Sequence, residues 1–387
     1  MKLQHLVDKF NKLQTPFYYY DTHILQQTLQ TINEATAKMP YAHVHYAIKA
    51  NANPKILRQI STAGFGADCV SGGEIQAALN NGFPASKIVY AGVGKSDWEI
   101  NLGIDNDIAC FNVESIPELE TISELAKAKG KTARIAFRIN PNVDAHTHVK
   151  ITTGLNENKF GIAMEDMLSA IKLAEKLPGV EYIGLHFHIG SQILELDVFK
   201  NLCDRINQLQ NQLETAGIKT PNINVGGGLG VDYHNPHKHP ISKFNTYFQI
   251  FRERLKLRDG QQLHFELGRA IVAQCGSLIT KTLYVKKGHC KQFVIVDAGF
   301  TELVRPAMYG SHHFTENLSS VSKTIETYDI VGPICESTDV FSKNEKLPTT
   351  QRGDLIALRS AGAYGEVMAS CYNCRQLPCS YTDIDLE

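Results

Sequence analysis

Eight short apolar runs, each followed by a helical pattern, fill about 220 residues of the chain and predict an α/β protein built as a (β/α)8 TIM-type barrel. After about residue 270 the rhythm changes to β-rich segments without a long helical face, which predicts a second, all-β C-terminal domain. A third observation separates the barrel from an open doubly wound sheet. The predicted C-terminal strand ends carry Lys49, Asp68, Asn112, Arg138, His188, Gly226–Gly228 and Glu266. A barrel brings these to one mouth, whereas an open sheet spreads them along an edge. The expected division is 22–268 for the barrel, with 1–21 and 269–387 forming the β-rich domain.

The run MKLQHLVDKFNKLQ is amphipathic and too polar for a signal peptide. Phe17–Tyr20 reads as a strand that completes the β-rich domain, and Asp21 or Thr22 caps a helix to about Lys38. Barrel strands are expected near 44–49, 65–70, 87–91, 108–113, 133–139, 181–188, 222–226 and 262–266, with helical patterns such as Ile75–Leu79, Ile116–Ala128, Glu165–Leu177 and Phe199–Ala216 between them. Asn53 is a good N-cap, Pro54 suits the first helical position, and Gly64 closes that helix. Ser71/Glu74, Ser96/Glu99 and Ser115/Glu118 share the spacing of a capping box just after a strand. Beyond the barrel, strands are expected at Ile271–Val285, Phe293–Asp297, Thr324–Val331 and Leu355–Leu358.

A net charge of -1 and a pI near 6.9 give no electrostatic reason to expect a nucleic acid or an anionic membrane as partner. No apolar run is long enough for a membrane span. The nine cysteines are scattered and odd in number, which fits a reducing compartment, so the cytoplasm is expected.

Lys49 ends an apolar run, where two readings stand: a snorkelling strand-end lysine, or an amine with a pKa lowered by burial that forms a Schiff base. Val225-Gly226-Gly227-Gly228-Leu229-Gly230 follows the seventh strand, where barrels commonly bind phosphate, and its glycines allow close backbone approach to an anion. A tight turn alone is the competing explanation. It is not the dinucleotide fingerprint, since Val231 stands at the third spaced position. Glu266-Leu267-Gly268-Arg269 ends strand eight, and its carboxylate either pairs with Arg269 or faces a cationic ring nitrogen. His186 and His188 share a strand face; no acidic or thiol residue joins them at a metal spacing, and an imidazole lying flat on an aromatic cofactor is the more economical role. Ser191 can add a hydroxyl to a phosphate site. Tyr46–Lys49 matches a kinase lysine motif, but the other kinase signatures are absent. The CxxC of Cys371 and Cys374 has no partner pair for zinc, and His234, His237 and His239 read as a solvated loop. Phosphate loop, ring carboxylate, stacking histidine and reactive lysine together describe one cofactor, pyridoxal 5′-phosphate (PLP), and no metal is expected.

These residues resemble the barrel-type, fold-III PLP decarboxylases, and among them the diaminopimelate decarboxylases. The resemblance runs through YAIKAN (46–51), GADCVSGGE (66–74), TGLNENKFGI (153–162), HFHIGSQI (186–193), GGGLG (226–230), ELGR (266–269), RPAMYGSHH (305–313), GPICESTD (332–339) and GAYGEVMASCYNCR (362–375). It implies decarboxylation of meso-2,6-diaminopimelate to L-lysine and CO2. It implies that Lys49 carries the cofactor, His188 stacks on its ring and Glu266 bonds the ring nitrogen. Ser191, Gly226, Gly227, Gly228, Gly268, Arg269 and Tyr364 would surround the phosphate and the adjoining substrate group, with Asp68 and Arg138 in support. Arg305 and Tyr309, with Arg269 close by, would bind the distal carboxylate. Cys335 and Glu336 would enter from the other subunit of a homodimer with shared active sites, Glu336 facing the distal amino group. Lys49 or Cys335 would protonate the α-carbon. Leu267 departs from the proline of many relatives, and the chain is shorter than many members. A related decarboxylase of another basic or diamino acid, and a non-catalytic PLP-barrel binding protein, are the competing readings.

Overall fold

The computed structural model describes residues 3–143 and 159–386. Residues 153–158 of the TGLNENKFGI motif lie outside the described residues. The chain divides into two compact units. One comprises Leu29–Gly230 and Lys243–Gly268; the other comprises Met1–Thr28, Val231–Ser242 and Arg269–Glu387.

After β1 (Phe17–Tyr20) come β2 (Ala42–Ala47), β3 (Gly66–Cys69), β4 (Ile88–Tyr90), β5 (Cys110–Val113), β6 (Ala133–Arg138), β7 (Val180–His186), β8 (Asn222–Asn224) and β9 (Gln262–Leu267). Strands β2 to β9 are parallel and form a closed barrel, in which β2 pairs with both β3 and β9. This is the predicted (β/α)8 architecture, and the eight strands fall where the sequence rhythm puts them. Helix 116–128 buries Leu119, Ile122 and Ala126, a spacing of three and four that faces one side of the helix to the strands.

The serine–glutamate starts do more than the predicted box. Ser71 and Ser115 each accept from the backbone N–H of the glutamate three residues on, at 3.2 and 3.3 Å. The glutamates, however, reach one residue further back, to the Val70 and Glu114 N–H groups, at 2.7 and 2.9 Å. Glu99 joins two helices. One carboxylate oxygen accepts from the Ser96 N–H and hydroxyl, and the other accepts from the Gly72 N–H that opens helix 72–80.

The second unit contains β10 (Gly276–Lys287), β11 (Gln292–Val296), β12 (Thr315–Asn317), β13 (Ile325–Val331), β14 (Val340–Pro348), β15 (Leu355–Leu358) and β16 (Cys379–Thr382). They form one sheet in the order β12-β15-β10-β11-β13-β14, and β1 joins it by pairing antiparallel with β10 and parallel with β16. The N-terminal strand thus completes this sheet, as expected. The segment predicted as strand from Ile271 first makes a helical turn over Arg269–Val272 before β10 begins. Phe10, Phe17, Tyr19, Ile279, Leu318 and Leu355 form its core, each aromatic or aliphatic side chain contributing about 1.5–3 kcal/mol of burial. Loop 231–242 belongs to this unit. The Gln274 amide donates to the Asp232 and His239 carbonyls, both at 3.1 Å, and His234 stacks on His312 with ring centroids 4.3 Å apart. His234, His237 and His239 are exposed, as predicted, but these contacts and a His237–Glu316 pair at 3.2 Å tie their loop to the sheet.

Candidate active site

Within the barrel, Lys49, expected to close the first barrel strand, lies two residues past the observed strand end. β2 stops at Ala47, and Ile48–Ala50 form a single tight turn closed by the Asn51 N–H on the Ile48 carbonyl. That turn is crowded from one side. A Cβ on Gly268 would lie 3.0 Å from the Ala47 Cβ and 3.1 Å from the Ala50 Cβ, so the end of β9 presses on the lysine-bearing turn. Asn53 caps the next helix by accepting from the Lys55 N–H at 3.0 Å, with Pro54 at its first position, as the sequence predicts. Lys49 Nζ donates to Asp68 Oδ2 at 2.5 Å. Asp68 is buried, and its other oxygen has no hydrogen-bond partner among the described residues. Burial, and next the charge of Glu266, push the Asp68 carboxyl up to about 6, while Lys49 pulls it back.

Glu266 is the most heavily supported group. Its carboxylate accepts from His186 Nε2 at 2.9 Å, Asn224 Nδ2 at 2.7 Å and Asn112 Nδ2 at 3.1 Å. Burial opposes the charge, but His186 first and Lys49 next overcome it and hold the carboxyl well below the usual carboxylate range. A carboxylate has about four lone-pair positions, so three donors leave room for a fourth. The sequence did not reveal this trio. His186 is instead directed at Glu266, and among the described residues no group of three or more His, Cys, Asp or Glu side chains is placed to hold a metal.

His188 follows β7, and burial, aided by the charges of Arg138 and Lys49, lowers its imidazole to about 3. The ring is therefore neutral, and its Nδ1 accepts from the Gly227 N–H at 3.4 Å, which puts the ring proton on Nε2. A neutral imidazole can lie against a cationic aromatic ring without charge repulsion.

The glycine loop has a packing reason as well as a ligand reason. A Cβ on Gly226 would strike the Phe187 carbonyl, one on Gly227 the Glu266 carbonyl, and one on Gly228 would lie 2.8 Å from the Gly190 carbonyl. Gly226 and Gly228 also adopt positive φ, 69° and 105°. The Gly226 N–H donates to Asn224 Oδ1 at 2.9 Å and the Gly227 N–H to His188, so of the three only the Gly228 N–H has no partner among the described residues. The Ser191 loop is pinned alongside: the Ile193 N–H donates to the Gly228 carbonyl at 2.8 Å, and the Gly230 N–H to the Ile193 carbonyl at 2.9 Å. Arg138 pairs with Glu114 at 2.9 Å, and Glu114 also receives the Gly92 and Gly161 N–H groups. The barrel thus gathers Lys49, Asp68, His188, Gly226, Gly227, Gly228 and Glu266 on neighbouring strand ends. An amine beside a buried carboxylate with one oxygen unsatisfied, a supported carboxylate with spare acceptor capacity, a neutral imidazole and a side-chain-free loop fit PLP.

The second unit gathers a different set. Arg269 and Arg305 are both buried, and both approach Tyr233. The Arg269 guanidinium also lies 4.7 Å over the Tyr364 ring, with Tyr364 held at φ 56°. Arg305 gives Nη1 to His313 Nε2 at 3.0 Å and Nη2 to Ser311 Oγ at 3.2 Å. No carboxylate among the described residues pairs with Arg305. Tyr309 closes the five-residue helix that Arg305 opens. Cys335 and Glu336 lie on a separate exposed loop, which Asp339 braces by accepting the Ile334 and Phe300 N–H groups at 2.7 Å each. Glu336 accepts from the Tyr372 hydroxyl at 3.1 Å, which gives the Cys371–Cys374 segment a role beside that loop.

These two sets are those of a PLP barrel enzyme, and residues 25–273 match the family model described as "Pyridoxal-dependent decarboxylase, pyridoxal binding domain". The chain is 61% identical over 380 residues to a diaminopimelate decarboxylase of Bacteroides thetaiotaomicron, covering 98% of each. It superposes with a TM-score of 0.91 on a diaminopimelate decarboxylase from Helicobacter pylori complexed with L-lysine, at 41% identity, over 97% of this chain and 93% of that one. The corresponding L-lysine complex from M. jannaschii gives a TM-score of 0.90 at 35% identity, over 98% and 89%. The chain belongs to the diaminopimelate decarboxylase family.

Proposed function

We propose that the protein uses PLP to decarboxylate meso-2,6-diaminopimelate to L-lysine and CO2, the last step of lysine biosynthesis by the diaminopimelate route. The observation that carries the substrate is Arg305, a buried guanidinium with no carboxylate partner among the described residues. A buried charge is stable only when it is paired, so this one calls for an anion from outside the chain. A second carboxylate on the substrate meets that need, and a diamine product does not.

When bound, PLP supplies an electron sink for the charge left on the substrate as CO2 departs. In this reading Lys49 holds the cofactor through Nζ, and Asp68 orients that amine and shares its proton. Glu266, kept ionised by His186, Asn112 and Asn224, keeps the ring nitrogen protonated. His188 lies neutral against the ring. Gly226, Gly227 and Gly228 form the phosphate loop with the Gly228 N–H as its free donor, and Ser191, Gly268, Arg269 and Tyr364 complete the phosphate and substrate surroundings. Arg305 and Tyr309 take the distal carboxylate, whose planar match to the guanidinium fork favours two parallel hydrogen bonds. The proton returned to the α-carbon comes from Lys49 Nζ or Cys335 Sγ. Residues 22–268 act as the cofactor-binding domain, and 1–21 with 269–387 supply the substrate and dimer functions. Cys335 and Glu336 act in the site of a second copy of the chain; their exposure on a braced loop supports this. The setting is the cytoplasm, and no described helix is long and apolar enough to cross a membrane.

The test is to supply purified, PLP-loaded protein with meso-diaminopimelate and measure CO2 and L-lysine. Equal amounts of the two are expected, and CO2 no higher than in the protein-free blank would overturn the reading.

A further inference from the structure

Two buried guanidiniums in one unit repel each other, and nothing in an arginine's own torsions fixes the plane of its fork. Something must hold both. One side chain touches the pair, and neither the glycine loop nor the arginine motifs contain it: Tyr233, in loop 231–242. Tyr233 is buried, 7% exposed. Its hydroxyl oxygen accepts from Arg269 Nη1 at 2.8 Å. The Arg305 guanidinium carbon lies over the ring, 4.9 Å from its centroid, and Arg305 also hydrogen-bonds the hydroxyl. The ring is itself wedged edge-on against His313, with centroids 5.3 Å apart. His313 accepts from Arg305 and donates Nδ1–H to the Arg359 carbonyl at 2.9 Å, so it is neutral and adds no competing charge.

The donor count of Arg305 sharpens the point. His313 and Ser311 each take one N–H, the Tyr233 hydroxyl is a further partner and its ring lies against the guanidinium, so the fork is held from several sides. A fork that is held before the ligand arrives loses less side-chain freedom on binding, which raises affinity for a carboxylate in particular. Burial works against ionisation of the Tyr233 phenol, but Arg269 and then Arg305 outweigh burial and bring it below its ordinary value.

We propose that Tyr233 is the positioning residue that aims Arg305 and Arg269 at a substrate carboxylate, and so sets the preference for an amino acid over the diamine of the same length. This rests on the function proposed above. It predicts a selective loss. In PLP-loaded protein, Tyr233→Phe keeps the ring but removes the hydroxyl that hydrogen-bonds both Arg269 and Arg305. It is expected to raise the KM for meso-diaminopimelate and the Kd for L-lysine about tenfold, close to the loss of one charge-assisted hydrogen bond, with kcat within about twofold. The Kd for pentane-1,5-diamine, which has the same chain without the carboxylate, is expected to stay unchanged. Tyr233→Leu also removes the ring beneath Arg305 and is expected to lower the ratio of lysine to diamine affinity further. Whichever variant folds decides the matter: a wild-type ratio, or equal weakening of both ligands, overturns the assignment. Wild-type protein that neither releases CO2 from meso-diaminopimelate nor binds L-lysine overturns this inference together with the function beneath it.

Discussion

Under the proposed function, Lys49 and Glu266 divide the chemistry between one amine and one carboxylate, and each is made special by its neighbours. Lys49 Nζ is held against a buried carboxylate oxygen, Asp68 Oδ2, which orients the amine for covalent capture. Borohydride reduction of the loaded protein is therefore expected to fix the cofactor on the peptide that contains Lys49, read as a mass increase, and Lys49→Ala to remove that label. Glu266→Gln keeps the shape but removes the charge. It is expected to lower kcat by roughly 100-fold, the scale of losing one preorganised electrostatic contact, while the cofactor stays bound. In the sequence a cation closing an apolar run is out of place but left two readings of Lys49, and it was the glycine loop, the carboxylate and the histidine at the other strand ends that favoured the reactive amine. The support of Glu266 was not legible there. Asn112, His186 and Asn224 stand 154, 80 and 42 residues before it, and only the closed barrel brings those strand ends together.

The βα rhythm exposed all eight barrel strands, because a strand buried on both faces is an apolar run in any context. The strands it left unread in the β-rich unit are β12, β14 and β16. Each pairs with a single neighbour, so each is an edge strand that needs no continuous apolar face; VFSKNEKLP in β14 is largely polar. Helix starts were legible through their serines: Ser96 and Glu99 form the reciprocal box, whereas Glu74 and Glu118 reach back one residue further. Ser115→Ala is expected to cost about 1 kcal/mol, read from denaturant unfolding. Glu74, which caps Val70, gives a pH test. Burial raises its carboxyl from 4.5 to about 7. The folded protein then holds a proton that the unfolded chain has lost, so stability falls as pH rises from about 4.5 through 7. Glu74→Gln removes this dependence. Its unfolding midpoint is expected to exceed that of wild type near pH 8, by up to about 3 kcal/mol, and to match it near pH 4.

Under the proposed function, most of the cofactor groups belong to one unit and the distal-carboxylate groups to the other. The barrel holds the amine, the ring carboxylate and the glycine loop, and the β-rich unit holds the two arginines and the Cys335–Glu336 loop. The second set was read only through the resemblance, since RPAMY and CES carry no spacing that announces a carboxylate site. If Cys335 serves a neighbouring copy, inactive Lys49→Ala and Cys335→Ala proteins should complement each other. Random reassortment makes half the dimers mixed, each with one intact site, so activity should return to about a quarter of wild type. No recovery after subunit exchange would place Cys335 outside the shared site. The central claim is that the buried guanidinium of Arg305, which has no carboxylate partner among the described residues, selects a substrate with a second carboxylate. The most direct measurement is CO2 release from meso-diaminopimelate by wild type and Arg305→Ala, both loaded with PLP. Removing a buried charge-assisted contact is expected to lower kcat/KM by at least about 100-fold, chiefly through KM, with the cofactor retained. Turnover by Arg305→Ala at the wild-type kcat/KM would contradict it.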